Sequence, residues 1–178
     1  MPVNIMVDLE TFGVGNEAAL ISIGAVKFDK DKIIERFHVG IDPESCEQRG
    51  LKISASTMKW WLDDDRRRAW TTWLALEKFD VWLALDGFSK WCAASAEDEV
   101  IMWGNGATFD NIILRSAYEK CGMVYPVKFW NDRCYRTVKG LAPEIKLTRV
   151  GVHHSAVDDA ESQAVHLQQI CAQLGVTL

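Results

Sequence analysis

No Cys-x-x-Cys pair occurs in this 178-residue chain, and its five cysteines, Cys46, Cys92, Cys121, Cys134 and Cys171, are odd in number and widely spaced. Neither a disulfide framework nor a zinc knuckle is indicated, and the thiols are expected to be reduced. No apolar run approaches the roughly eighteen residues that a membrane-spanning helix needs, so no membrane association is expected. The N-terminal Met1-Pro2-Val3-Asn4-Ile5-Met6 lacks the basic and then apolar order of a secretion leader. Together these absences predict a soluble, cytoplasmic protein. Proline is scarce, at 4, and there is no repeat, low-complexity tract or linker, so residues 1–178 are expected to form a single domain around one core.

A positive excess is also missing. The formal charge of −5 excludes a protein that coats duplex nucleic acid by neutralising phosphates. It leaves room for a nuclease, because an enzyme that gathers carboxylates around divalent cations has a negative site whose local sign the metals reverse. What the chain has in abundance is tryptophan, with 8, for which core packing is the default role.

Hydrophobic patterning predicts a strand over 3–7 and two more over 19–28 and 33–41, the latter pair a hairpin about the polar turn 29–32. From 54 to Ala94 the aromatic residues recur at helical spacing, which predicts two or three helices. A strand over 99–103 stops at Gly104-Asn105-Gly106, and a helix is expected from Thr108, as N-cap, to Gly122. A short strand over 127–130 and a helix over 133–141 should follow. The last helix starts at Ser155, which with Asp158 reads as a capping box, and its apolar stripe runs Val157, Ala160, Ala164, Leu167, Cys171, Leu174. This order predicts an α/β fold with a mixed sheet flanked by helices.

Three segments carry chemistry. In Asp8-Leu9-Glu10 the carboxylates are two residues apart, and alternation along a strand turns both to one side. Two like charges held together invite a cation between them, although the tripeptide also reads as a solvated strand end. Asp110 opens a helix after a strand, where open α/β sheets place ligands, although a first-turn acid also suits the helix dipole. In His153-His154-Ser155-Ala156-Val157-Asp158-Asp159, an N-cap at Ser155 puts His154 just before the helix and Asp159 inside it. Asp158 is then occupied by capping, which leaves Asp159 as the better metal ligand. A histidine beside carboxylate-bound metal is suited to take a proton from water.

Taken together these segments resemble the DnaQ-like 3′-5′ exonucleases of the DEDDh type, within the ribonuclease H-like superfamily. The likeness rests on Asp8-Leu9-Glu10-Thr11, on Phe109-Asp110, and on His154-Ser155-Ala156-Val157-Asp158-Asp159, and it spans about residues 5 to 172. Ser54-Ala55-Ser56-Thr57-Met58-Lys59-Trp60-Trp61 and Asn131-Asp132-Arg133 are further similar to a bacterial and phage subgroup of exoribonucleases and exonuclease VIII-like enzymes. The resemblance implies a ribonuclease H-like fold and a bacterial or phage-infected cell as the setting. Asp8, Glu10, Asp110 and Asp159 would hold two Mg²⁺ or Mn²⁺ ions, about 3.5 to 4 Å apart in sites of this kind, with His154 as general base. Thr11 and Phe12 would contact the terminal nucleotide, Phe12 by packing on base or sugar.

The substrate so implied is a 3′ end of single-stranded DNA or RNA, cut to nucleoside 5′-monophosphates. Asp132 reads equally as a substrate contact and as a surface aspartate. Of Trp60 and Trp61, one is free to stack on a base while the other packs. The aromatic-rich region from 60 to 91 offers either a core or a homodimer face. Two rival functions remain. A structure-selective endonuclease of the same superfamily would cut a circular strand, whereas a non-catalytic nucleic-acid-binding module would show no chelator-sensitive cleavage.

Overall fold

The computed structural model describes residues 2–92, 99–106 and 108–177. Three long strands, β1 (Val3–Thr11), β2 (Leu20–Phe28) and β3 (Ile33–Ile41), form an antiparallel meander. The chain then builds the helices α1 (Pro43–Gln48), α2 (Ala55–Trp61) and α3 (Arg67–Ala75), the two-residue edge strand β4 (Lys78–Phe79) and helix α4 (Val81–Cys92). Strand β5 (Val100–Gly104) returns parallel to β1, helix α5 (Asp110–Lys120) follows, and β6 (Asp132–Cys134) adds in parallel beyond β5. Helices α6 (Tyr135–Leu141) and α7 (Ala156–Leu174) complete a six-stranded mixed sheet of order β4-β3-β2-β1-β5-β6.

Alternation sorts the side chains of the sheet into two cores. Ile5, Val7 and Leu9 of β1 face a large cluster shared with Ile23 of β2, Phe88 of α4 and Leu114 and Tyr118 of α5. Met6 of β1 and Val26 and Phe28 of β2 face a smaller one closed by Tyr135 of α6 and by Ala160, Ala164 and Leu167 of α7. Helices therefore cover both faces, as the mixed α/β expectation requires. Beneath α7 the contact is close. A Cβ on Gly24 would overlap the backbone of Ala156 and Val157, so α7 begins directly on β2, opposite Asp8 in the β1–β2 register.

Several local expectations need correction. Strand β1 continues four residues past 7, because β2 pairs with it as far as Thr11. The pattern over 42–48 escaped notice as a helix, although Asp42 caps α1 through the Glu44 N–H and Pro43 occupies its first turn. The expected helical region ended at Ala94, which lies outside the described residues. Residues 127–130 are not a strand: a 3₁₀ turn, Phe129–Asn131, precedes β6. Helix α5 is capped at Phe109 rather than Thr108, while Gly122 adopts the expected left-handed conformation just past its end. Leu174 is exposed, so the buried stripe of α7 ends at Cys171. Cys46, Cys92, Cys121 and Cys171 are free thiols, and among the described residues no helix is long and apolar enough to cross a membrane.

Candidate active site

The outer half of β1 outruns its parallel partner. Pairing with β5 ends at Met6, and beyond it the even positions Asp8 and Glu10 continue the face that Met6 presents to α7. Past the end of β5 the chain turns through Gly104-Asn105-Gly106 into α5, and the Asp110 carboxylate fills the unpaired edge of β1. Its Oδ1 accepts from the Leu9 N–H at 3.2 Å and its Oδ2 from the Asn105 N–H at 2.9 Å. This is the carboxyl-terminal crevice of a parallel strand pair, where α/β sheets hold ligands.

Helix α7 brings the remaining groups. Ser155 is its N-cap, but the Ser155 side chain makes no capping hydrogen bond. The expected capping box is replaced by two carboxylates that reach back into the preceding loop: Asp158 Oδ2 accepts from the Val152 N–H and Asp159 Oδ2 from the His154 N–H, each at 2.8 Å. The second bond supports His154 in a left-handed backbone conformation, φ 65°, a strained region for a residue with a side chain. The bend turns His154 onto the aromatic pair Trp60 and Trp61, with ring centroids 5.0 and 6.2 Å away.

Ligand oxygens of Asp8, Glu10 and Asp159 lie within 4.8 Å of one another, and those of Asp159 lie equally close to ring nitrogens of His153 and His154. Asp110 is buried in the same cleft with both oxygens already bonded to backbone, and it stands outside that close trio. The cleft, about 540 Å³, is lined by these carboxylates together with Trp60, His154, Arg136, Lys139 and Arg149.

Crowding of acids out of water dominates the electrostatics. Burial pushes the Asp8 carboxyl well above the usual range, with Asp110 and Asp159 adding to the effect and Gln163 and Arg149 opposing it. Glu10 is raised by burial first and then by Asp8, Asp159 and Asp110. Burial takes Asp110 up to about 6 against the N–H groups of Leu9 and Asn105. Burial lowers the His154 imidazole below its ordinary value and neighbouring His153 adds to this, so the ring is held toward its neutral, proton-accepting form.

Whether hard divalent cations suit this place is a question of donors. Every group of the trio is a carboxylate, and among the described residues no hydrogen bond reaches the Glu10 carboxylate, which sits desolvated among like charges. An all-oxygen, anionic donor set with unengaged oxygens fits Mg²⁺ or Mn²⁺.

Other expected residues are placed differently. Thr11 lines the cleft, its hydroxyl donating to the Gly13 carbonyl at 2.6 Å. Phe12, expected against base or sugar, is 5% exposed and packs on Trp70 and Trp73 in the core, away from the cleft. A register shift between Glu10 and Thr11 interrupts the alternation from which its direction would be read, and Gly13 and Val14 line the cleft instead. Asp132 is turned to structure: it accepts from Asn111 Nδ2 at 3.1 Å and pairs with Arg115 at 2.7 Å, fixing the first turns of α5. The adjacent tryptophans separate as the helix geometry demands. Trp61 is 4% exposed and donates Nε1–H to the Thr11 carbonyl at 3.0 Å, whereas Trp60 is 38% exposed under the Arg66 guanidinium.

Sequence reasoning missed Gln163 and Arg149. Gln163 donates to Asp8 Oδ1 at 2.8 Å, and its place four residues after Asp159 on α7 was a usable signal. Arg149 pairs with Asp159 Oδ1 at 2.7 Å from a stretch without periodicity, where no sequence signal existed.

The family described as the 3′-5′ exoribonuclease Rv2179c-like domain matches residues 3–171. No curated protein matches the chain in sequence. Among solved structures, exonuclease X in complex with 5′ overhanging duplex DNA aligns with TM-score 0.61 and 19% identity over 98% of this chain and 94% of that one. The nuclease domain of 3′hExo, a DEDDh family member bound to rAMP, aligns with TM-score 0.62 and 15% identity over 99% and 94%. At such identities the structural likeness speaks for the shared fold.

Proposed function

The chain belongs to the Rv2179c-like 3′-5′ exoribonuclease domain family and is a 3′-5′ exonuclease, and we propose that it removes nucleotides singly from the 3′ end of single-stranded RNA or DNA at the carboxylate cleft. The observation that carries this reading is the convergence of Asp8, Glu10 and Asp159, from β1 and α7, to within 4.8 Å of each other beside His154. The family's description favours RNA as the substrate.

Asp8, Glu10 and Asp159 would hold two divalent cations, Mg²⁺ or Mn²⁺, with Asp110 as the fourth carboxylate. When bound, such ions supply Lewis-acid polarisation of the phosphate and offset the charge of the departing 3′ oxygen. His154, held neutral by burial, takes one proton from the attacking water at a ring nitrogen. The water oxygen bonds to phosphorus, the ester bond to the preceding 3′ oxygen breaks, and a nucleoside 5′-monophosphate leaves. Trp60 offers a partly exposed aromatic face lining the cleft on which an unpaired base can stack, and Arg136 and Lys139 offer positive charge to the phosphates.

The deciding experiment compares 5′-end-labelled single-stranded RNA and DNA of one sequence with Mg²⁺ or Mn²⁺. A ladder of products shortened one nucleotide at a time, abolished by chelator and by Asp8→Ala, is the expected result. Cutting of a circular strand, or full activity in Asp8→Ala, overturns the proposal.

A further inference from the structure

The Asp159 carboxylate has both oxygens engaged before any cation or substrate arrives. Oδ2 accepts from the His154 N–H, a backbone donor held by the loop, and Oδ1 is paired with the Arg149 guanidinium. These partners are not equally free to leave. Releasing the His154 N–H means rearranging a left-handed turn that is tied to α7 by the Val150 N–H on Ser162 Oγ and the Val152 N–H on Asp158 Oδ2. Arg149 is the tip of a long side chain, 46% exposed, and can let go by side-chain rotation alone. Among the described residues it is also the one cation in an ion pair with any of the four carboxylates.

Released from Asp159, the guanidinium stays in the cleft, which Arg136 and Lys139 also line. Among the described residues neither of those is paired with a carboxylate, and Arg136 donates to the Asn105 carbonyl at 2.7 Å. A guanidinium presents five donors in a fork that matches two phosphate oxygens, so a nucleotide phosphate entering this cleft is its natural next partner. Resting on the reading of Asp8, Glu10 and Asp159 as cation ligands, we propose that Arg149 is an exchanging counter-ion. It neutralises Asp159 in the empty site, gives up Oδ1 when a divalent cation binds, and then grips the phosphate of the terminal nucleotide. Cation and nucleotide binding are then coupled through one side chain, and by linkage each strengthens the other.

The test is calorimetric titration of metal-free wild type and of Arg149→Met with Mn²⁺ alone, then with a nucleoside 5′-monophosphate in saturating Mn²⁺. With the competing ion pair removed, the variant is expected to bind Mn²⁺ on the order of two- to fivefold more tightly. It is expected to bind the nucleotide roughly tenfold more weakly, from loss of a charge-assisted fork. Arg149→Lys should keep part of both effects, because it retains the charge without the fork. Mn²⁺ affinity that is unchanged or reduced in Arg149→Met overturns the exchange, and so does undiminished nucleotide affinity. Absence of any Mn²⁺ binding to wild type would instead sink the underlying reading of the carboxylates, and the exchange with it.

Discussion

Gln163 Nε2 donates to Asp8 Oδ1 at 2.8 Å across a separation of 155 residues, joining the third turn of α7 to the outer half of β1. The bond orients one carboxylate of the cluster and leaves its other oxygen free to turn inward. It also lowers the Asp8 carboxyl against the burial that raises it. Gln163→Ala is therefore expected to weaken Mn²⁺ binding or turnover by roughly 10- to 100-fold, the usual worth of a group that aims a metal ligand. Calorimetry and a single-turnover assay would measure it, and wild-type values in both would remove Gln163 from this role.

The raised carboxyls make the metal-free protein sensitive to pH. A group whose folded-state value lies above its unfolded one binds protons more tightly in the fold. It favours the fold below the unfolded value and loses that advantage as pH rises through the folded one. Asp110 spans a window from about 4, its ordinary value, to about 6, and Asp8 and Glu10 are shifted the same way. Glu17, held down to about 2 by Lys120 and Lys52, acts oppositely only below about pH 4, while His154 and His38, lowered by burial, act oppositely below about pH 6.5 and offset part of the effect of the three raised carboxyls. Thermal melts in chelator should show a higher Tm at pH 5.5 than at pH 8, at about 2–4 °C per kcal/mol for a chain of this size. Adding Mn²⁺ should raise the pH 8 value most, and a Tm flat from 5.5 to 8 would contradict this account of the cluster.

His154 should control the acid side of catalysis. Burial and His153 place its proton affinity below the ordinary value near 6.5, so the rate is expected to rise with pH through a midpoint below 6.5 and to plateau above it. His154→Ala is expected to lower kcat by roughly 10²- to 10⁴-fold and to abolish that rise, with Mn²⁺ binding retained. A variant whose pH profile keeps the same acid limb would assign the base elsewhere.

Trp60 and Trp61 are neighbours in sequence with separable roles, and two substitutions can tell them apart. Trp60→Ala should raise KM for a single-stranded oligonucleotide by roughly 5- to 150-fold, the range for losing one stacked base, with little change in Tm. Trp61→Ala should instead destabilise the fold by about 3–5 kcal/mol, since it empties a buried site and orphans the Thr11 carbonyl. The reverse pattern would exchange their assignments.

How far these features could be read from the chain differs residue by residue. Strands β2 and β3 were legible to within a residue, because period-two patterning flanks the polar turn at 29–32. Strand β1 read as ending at 7, because Asp8 and Glu10 look like a terminus to any local rule. Only pairing with Gly24 and Ser22 keeps them extended. Their common direction followed from alternation, whereas the Phe12 expectation came from the family likeness alone, and past the register shift that ring packs on Trp73. The helix-borne Asp159 was legible from its neighbours, but Arg149 was not: its partner is set by where a loop lands, which no periodicity encodes.

Gly24 has a meaning for the cleft that its own chemistry, having none, would not suggest. Because main chain meets main chain there, the gap between strand-borne and helix-borne acids is gauged by covalent geometry rather than by rotamers. Substitutions elsewhere in the core can let side chains resettle without retuning that gap, while a single methyl group at this position would prise the two halves of the cation seat apart.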